Sequence, residues 1–204
     1  MQSVVTENPY DVAPRVLARP EHVLSRRSVS TNALKVLYRL HRSGYVSFLV
    51  GGGVRDILLG REPKDFDVAT NARPQEIRRL FRNSRIIGRR FRLVHVLFRG
   101  EVVEVSTFRA SPEPPEVEDW AEAQEDAAEE SAGEVRVSDQ SYGTPAEDAR
   151  RRDLTVNALY YNIADFSIID HVGGLGDLEA GIIRTIGVPE QRFEEDPVRM
   201  MRAL

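Results

Sequence analysis

Residues 49–70 read LVGGGVRDILLGREPKDFDVAT. An apolar run ends in Gly51, Gly52 and Gly53, a short amphipathic stretch follows, and then Asp65 and Asp67 flank Phe66. The pattern predicts a buried strand, a tight turn, a short helix and a second strand. Glycines between a strand and a helix expose backbone N–H groups and let a phosphate approach closely. They serve equally where a turn needs positive φ. Residues i and i+2 of a strand point to one face, with Cα atoms roughly 7 Å apart. Two carboxylates placed so can share divalent ions, and hard oxygen donors favour Mg²⁺. A D-x-D pair on a solvated strand is the plainer alternative. Taken together, the turn and the carboxylates place amides beside acids, which suits a metal-bound nucleoside triphosphate.

The bulk numbers are those of a soluble globular protein. The chain has 204 residues, 41% hydrophobic and 29% charged. No run approaches the roughly 18 apolar residues of a membrane span, and the N-terminus MQSVVTENPYDVAPR has no signal-peptide pattern. There are no cysteines, which excludes disulfides, thiolate metal sites and cysteine nucleophiles. A cytoplasmic protein is expected, without membrane association and monomeric. The net charge of −4 hides segregation: between Arg109 and Arg136 the chain has no basic residue and many acidic ones, while the remainder is basic. Lysine occurs only at Lys35 and Lys64, so the positive charge is nearly all arginine, whose forked donors suit phosphate.

Outward from the opening stretch, residues 1–30 carry three prolines and read as a flexible N-terminal leader. STNALKVLYRLHRSG predicts a helix capped at Ser30 or Thr31 and stopped by Gly44. YVSFLV and DFDVAT predict strands, with the helix VRDILLG between them. PQEIRRLFRN predicts a helix opened by Pro74, and RLVHVLFRG with EVVEVSTFRA a hairpin turning at Gly100-Glu101. Residues 111–145 are acidic and aperiodic, and predict a mobile loop. Beyond it RRDLTVNALYYNI reads as a helix, SIIDHV as a strand, GGLGDLEAGI as a turn with a short helix, and IIRTIG as the last strand. EEDPVRMMRAL opens a helix with Asp196 at its cap and Pro197 in the first turn. The chain stops inside that helix, so a fragment of a longer protein is expected.

Glu104 is the candidate third carboxylate of a two-metal site. It alternates with Val103 and Val105, and a strand beside Asp67 would bring it alongside; an exposed strand glutamate fits the spacing as well. From Arg78 to Arg92 there are seven arginines and no acidic residue. Such a patch attracts polyphosphate or a nucleic-acid backbone, or is simply a solvated face.

LVGGGVRDILLGREPKDFDVAT, EVSTFRA, RRDLTVNALYY, DHVGGLGDLEAGIIRTIG and EEDPVRMMRA occur in this order with fitting spacing. They resemble the class II nucleotidyltransferases of the polymerase β superfamily, the bacterial poly(A) polymerases and tRNA CCA-adding enzymes. IIGRRFRLVHV is similar to the segment that marks the poly(A) polymerase branch. The resemblance runs from about residue 30 to the end. It implies an α/β (α+β) polymerase β-type head over residues 31–188, a mixed sheet flanked by helices, with the start of a helical neck at 189–204. It implies Mg²⁺ on Asp65 and Asp67, triphosphate on Gly52, Gly53 and Arg55, and Arg109 beside the mobile loop. Ribose and phosphates would meet Arg151, Arg152, Asp153 and Asn157, and the base would face Asp196, Arg199 and Arg202. Asp153 and Asp196 also read as plain helix caps, and Asp177 as structural. The implied activity is template-independent addition of AMP from ATP to RNA 3′ ends, with Mg²⁺ as cofactor. CCA addition is the alternative, and a non-catalytic RNA- or nucleotide-binding module the second. Intact Asp65 and Asp67 weigh against the module, because binding alone needs no paired metal carboxylates.

Overall fold

A computed structural model describes residues 13–88, 92–110 and 142–202. Strands β1 (Arg15–Leu17), β2 (Ser47–Val50), β3 (Asp67–Thr70), β4 (Ser84–Ile87), β5 (Leu93–Phe98), β6 (Glu101–Thr107), β7 (Leu159–Asn162) and β8 (Ile168–Asp170) form one sheet in the order β1-β8-β7-β2-β3-β6-β5-β4. The neighbours run antiparallel except β3 and β6, which are parallel.

Both faces of the central strands are covered, which is why SFLV is apolar almost throughout and wholly buried. Leu49, Val68, Val103, Val105 and Tyr161 pack into one core with helix α1 (Thr31–Arg42) and helix α3 (Pro74–Leu80). The alternate residues Phe48, Val50, Ala69 and Tyr160 turn to the opposite face and a second cluster with Phe108, Ala149 and Ile186. In α1, Ser30 Oγ accepts from Ala33 N at 3.0 Å, and Ala33, Val36, Leu37 and Leu40 face the sheet. Gly44 ends it with φ 86°. Helix α2 (Gly52–Leu58) follows β2 after a single left-turning residue, Gly51, at φ 77°.

Several expectations are corrected. From residue 13 on, the stretch read as a leader is part of the fold: β1 pairs with β8, and Leu24 is fully buried in the first core. Residues 1–12 lie outside the described residues. So do 111–141 of the expected mobile loop, but 142–145 belong to the fold: Tyr142 bridges to Arg109, and Thr144 caps helix α4 (Pro145–Arg151) in a reciprocal box with Glu147. The stretch RRDLTVNALYYNI is not one helix. It holds the end of α4, a single 3-10 turn at Thr155–Asn157, and β7. Tyr160 and Tyr161 face opposite cores, a period of two that no helix can satisfy. IIRTIG forms no strand: Thr185 makes one isolated bridge to Leu154, Ile186 is buried, and Ile183 is exposed. β1 occupies the outer edge of β8 that a last strand could have taken. The strand β4 falls inside the arginine-rich stretch, and Arg78 Nη1 caps the end of α3 by donating to the Phe81 and Arg82 carbonyls.

Helix α5 (Gly174–Ala180) carries the buried Asp177. Its carboxylate accepts from Thr155 Oγ1 at 2.7 Å and from Arg184 Nε at 3.0 Å, tying α5 to the 3-10 turn and to residue 184. Burial alone would raise its pKa, but the Arg184 and Thr155 hydrogen bonds outweigh burial and hold it below the ordinary carboxylate value. A depressed carboxylate stabilises the fold above its unfolded pKa and stops doing so as pH falls through the folded one. Asp177→Asn is expected to cost about 1–3 kcal/mol at neutral pH. In urea melts the gap to wild type should narrow below about pH 4; a gap that stayed constant down to pH 2 would contradict this ion pair.

Candidate active site

The register of β3 and β6 builds the acidic side of the site. Asp67 is paired with Glu104 across the parallel ladder. Val68, Val103 and Val105 turn into the first core, so Asp67 and Glu104 both face the other way. On the next strand His95 lies opposite Glu104, with Nε2 3.2 Å from Glu104 Oε2. A carboxylate only accepts, so Nε2–H is the donor. Burial, with Glu104 and Asp65 as like charges and Arg152 in opposition, pushes the Asp67 carboxyl up to about 6.

Asp67 and Glu104 open into a cavity of about 1050 Å³, whose lining also includes Gly51, Gly52, Ser106, Asp148, Asp153, Asn157 and Asp196. Its basic wall is Arg109, Arg150, Arg151, Arg152, Arg192, Arg199 and Arg202. The glycine turn fits closely against the acids: a Cβ on Gly51 would stand 3.2 Å from Asp67 Oδ2. Gly52 and Gly53 are ordinary helical residues, and in the first turn of a helix their N–H groups have no intrahelical partner.

The arginine side is assembled from three chain segments. Arg109 N donates to Asp148 Oδ1 at 3.2 Å, where β6 has ended. Arg151 Nη1 donates to the Ala110 carbonyl. Arg192, on helix α6 (Pro189–Glu195), donates from Nη2 to the carbonyls of Arg151 and Arg152 at 2.8 Å each. Helix α7 (Val198–Met201) follows, and Arg202 Nη1 reaches back to Asp153 Oδ2 at 3.0 Å. Burial would raise the Asp153 pKa; the Arg202 bond, the Leu154 N–H and Asn157 together lower it. The cap of the last helix is Pro197, not Asp196 as expected; Asp196 stands one residue before it and its Oδ1 accepts from Val198 N at 3.1 Å, while Arg199 Nη1 donates to the Arg192 carbonyl.

Eleven of the residues singled out from the sequence line this one cavity: Gly52, Asp67, Glu104, Arg109, Arg151, Arg152, Asp153, Asn157, Asp196, Arg199 and Arg202. Three do not. Asp65 is exposed and precedes the strand, which starts at Asp67, so the strand-face argument for the pair does not describe it. Gly53 packs under the Asp65 carbonyl, where a Cβ would come within 3.1 Å. Arg55 is turned to other partners, with Nη1 donating to Asn157 Oδ1 at 2.6 Å and Nη2 ion-paired to Asp56 at 2.8 Å. Asp148, Tyr160, His95 and Arg192 were not anticipated. Asp148 and Arg152 are spaced i, i+4 on either side of the end of α4, a readable signal once that helix is recognised.

Among the described residues no group of three acids or imidazoles forms a ready cation cage. Mg²⁺ does not require one, since it is commonly held by one or two carboxylates plus substrate phosphates. Asp67 and Glu104, an all-oxygen pair whose mutual repulsion any cation would relieve, fit that use.

The family model for the poly(A) polymerase head domain matches residues 47–184. Poly(A) polymerase I of Salmonella typhi is 52% identical over 189 residues, 93% of this chain and 39% of that protein. The CCA-adding enzyme of Bacillus pumilus is 42% identical over 174 residues, 85% of this chain and 39% of that protein. Among solved structures, the Bacillus stearothermophilus CCA-adding enzyme in complex with CTP superposes with a TM-score of 0.64 at 34% identity, over 84% of this chain and 37% of that one. The chain thus spans about two fifths of the length of these relatives. With the matched segment running from β2 through α5 and enclosing both Asp67 and Glu104, the chain belongs to the poly(A) polymerase head-domain family.

Proposed function

We propose that the chain is the catalytic head of a template-independent RNA nucleotidyltransferase that adds AMP from ATP to RNA 3′ ends. The observation that carries the reading is the cavity in which Asp67 and Glu104, neighbours across the parallel strands, face a wall of arginines. A triphosphate is polyanionic, so one end of it needs cationic donors. The other end must meet acids that can hold Mg²⁺ and accept a proton.

In this reading the triphosphate lies between the glycine turn and the arginines. Gly51 and Gly52 allow close backbone approach, and Arg151 and Arg152 meet the phosphate oxygens. Asp153 and Asn157 take the ribose, and Asp196 and Arg199 the base. Asp67 and Glu104 would hold the cation, with Asp65 near enough to act on Asp67 as a like charge. A Mg²⁺ held by Asp67 and Glu104 would supply positive charge to the phosphates and acidify the attacking hydroxyl. The RNA 3′-hydroxyl gives its proton to a carboxylate on the acidic side of the site, its oxygen bonds to the α-phosphorus, the α–β bridging bond breaks, and pyrophosphate leaves with the electron pair. No covalent enzyme intermediate is needed, so alignment and charge stabilisation supply the rate. The poly(A) polymerase relatives are 46–53% identical against 40–42% for the CCA-adding ones, which favours AMP addition over CCA addition. Among the described residues no helix is long and apolar enough to cross a membrane.

Incubation with RNA, Mg²⁺ and the four nucleoside triphosphates, followed by sequencing of the extended ends, is expected to give homopolymeric A. A terminal CCA would transfer the assignment to the CCA-adding branch, and unextended RNA would contradict the enzymatic reading. Glu104→Gln removes the charge at nearly constant shape and is expected to slow addition by about 100-fold or more. Extension at the wild-type rate would remove Glu104 from the site.

A further inference from the structure

Arg152 is gripped at two of its three corners. Nε donates to the Tyr160 hydroxyl at 3.0 Å, and Nη2 to Asp148 Oδ2 at 3.2 Å. The Tyr160 hydroxyl donates in turn to the same Asp148 oxygen at 2.7 Å. The guanidinium carbon stands 5.3 Å from the centre of the Tyr160 ring. Tyr160 is fully buried, its ring fixed edge-on against Phe48 at 5.6 Å, and Asp148 is 7% exposed. The third corner, Nη1, turns to the glycine turn, 3.8 Å from where a Cβ on Gly51 would be, at the spot Asp67 Oδ2 also approaches. The other Asp148 oxygen holds the Arg109 N–H.

We infer that Asp148 and Tyr160 are positioning residues for nucleotide binding. They hold the Arg152 guanidinium in advance, with Nη1 presented to the phosphates at the glycine turn. This rests on the nucleotidyltransferase reading. A free arginine would lose side-chain entropy on meeting a phosphate, and one already fixed does not lose it again. Two elements cooperate: α4 supplies Asp148 and, at its C-cap, Arg152, and β7 supplies Tyr160. Burial alone would lower the pKa of the guanidinium, but the Tyr160 and Asp148 oxygens outweigh it, so Arg152 stays charged inside the wall. The Asp148 carboxylate also offsets the repulsion among Arg109, Arg151 and Arg152, which lets three cations stand side by side before any phosphate arrives.

A purely structural ion pair would show the same contacts, so the test uses a double-mutant cycle. Tyr160→Phe removes the hydroxyl and keeps the packed ring. Calorimetric titration of the protein with ATP in Mg²⁺ is expected to show Kd raised about 10-fold. In an Arg152→Ala background the same substitution is expected to change Kd by less than about twofold, because the group it positions is gone. Asp148→Asn should follow the same pattern, with thermal unfolding run alongside to show that each variant is folded. Equal losses in both backgrounds, or wild-type affinity in Tyr160→Phe, would overturn the inference while leaving the nucleotide reading intact. A folded wild-type protein that bound no ATP would overturn both.

Discussion

The site depends on one pairing, the parallel ladder between β3 and β6. A sheet face carries every second residue, so a shift of one position would bury Glu104 and turn Val105 into the cavity. The register is held from the other side, where Val68, Val103 and Val105 pack beneath α1 with no exposed surface. The core therefore fixes which carboxylates meet. Burial first, and then the like charge of Glu104, push the Asp67 carboxyl up, so ionising it beside Glu104 is costly. The apolar contacts beneath them hold the two carboxylates side by side.

The opposite wall is held differently. Its arginines come from β6's end, from α4 and from α6 and α7, and carbonyls and acids within the wall tie them together. Arg192 bonds the carbonyls of Arg151 and Arg152, and Arg202 bonds Asp153, so the last two helices dock onto the residues proposed to take phosphate and ribose. Movement of those helices would be felt at the ribose site through Asp153. In this way the residues proposed to face the base and those proposed to grip the sugar share one set of bonds.

Much of this was legible before the structure. The glycine turn, the flanking strands and the hairpin could be read because periodicity and turn chemistry agreed there. Glu104 was placed by alternation alone, and the register sets it beside Asp67. The misreadings have physical causes. RRDLTVNALYYNI contains helix-like spacing, but its two tyrosines serve opposite faces of a buried strand, which only tertiary packing reveals. The leader was judged by its prolines, while Leu24 fills the core and three residues complete the sheet edge. Asp65 was paired with Asp67 by strand geometry, yet the strand begins only at Asp67. Tyr160 carries no motif of its own, and Asp148 shows only its i, i+4 spacing from Arg152; the two meet in that shared partner, which tertiary packing alone brings together.

The central claim is that Asp67 and Glu104 together form a cation site completed by the triphosphate. Mn²⁺ is a spectroscopic substitute for Mg²⁺, and its binding can be followed by electron paramagnetic resonance with and without ATP. Mn²⁺ is expected to bind weakly to the free protein, more tightly once ATP is added, and not at all in either Asp67→Asn or Glu104→Gln. Nucleotide-dependent Mn²⁺ binding that survived unchanged in Asp67→Asn would contradict it.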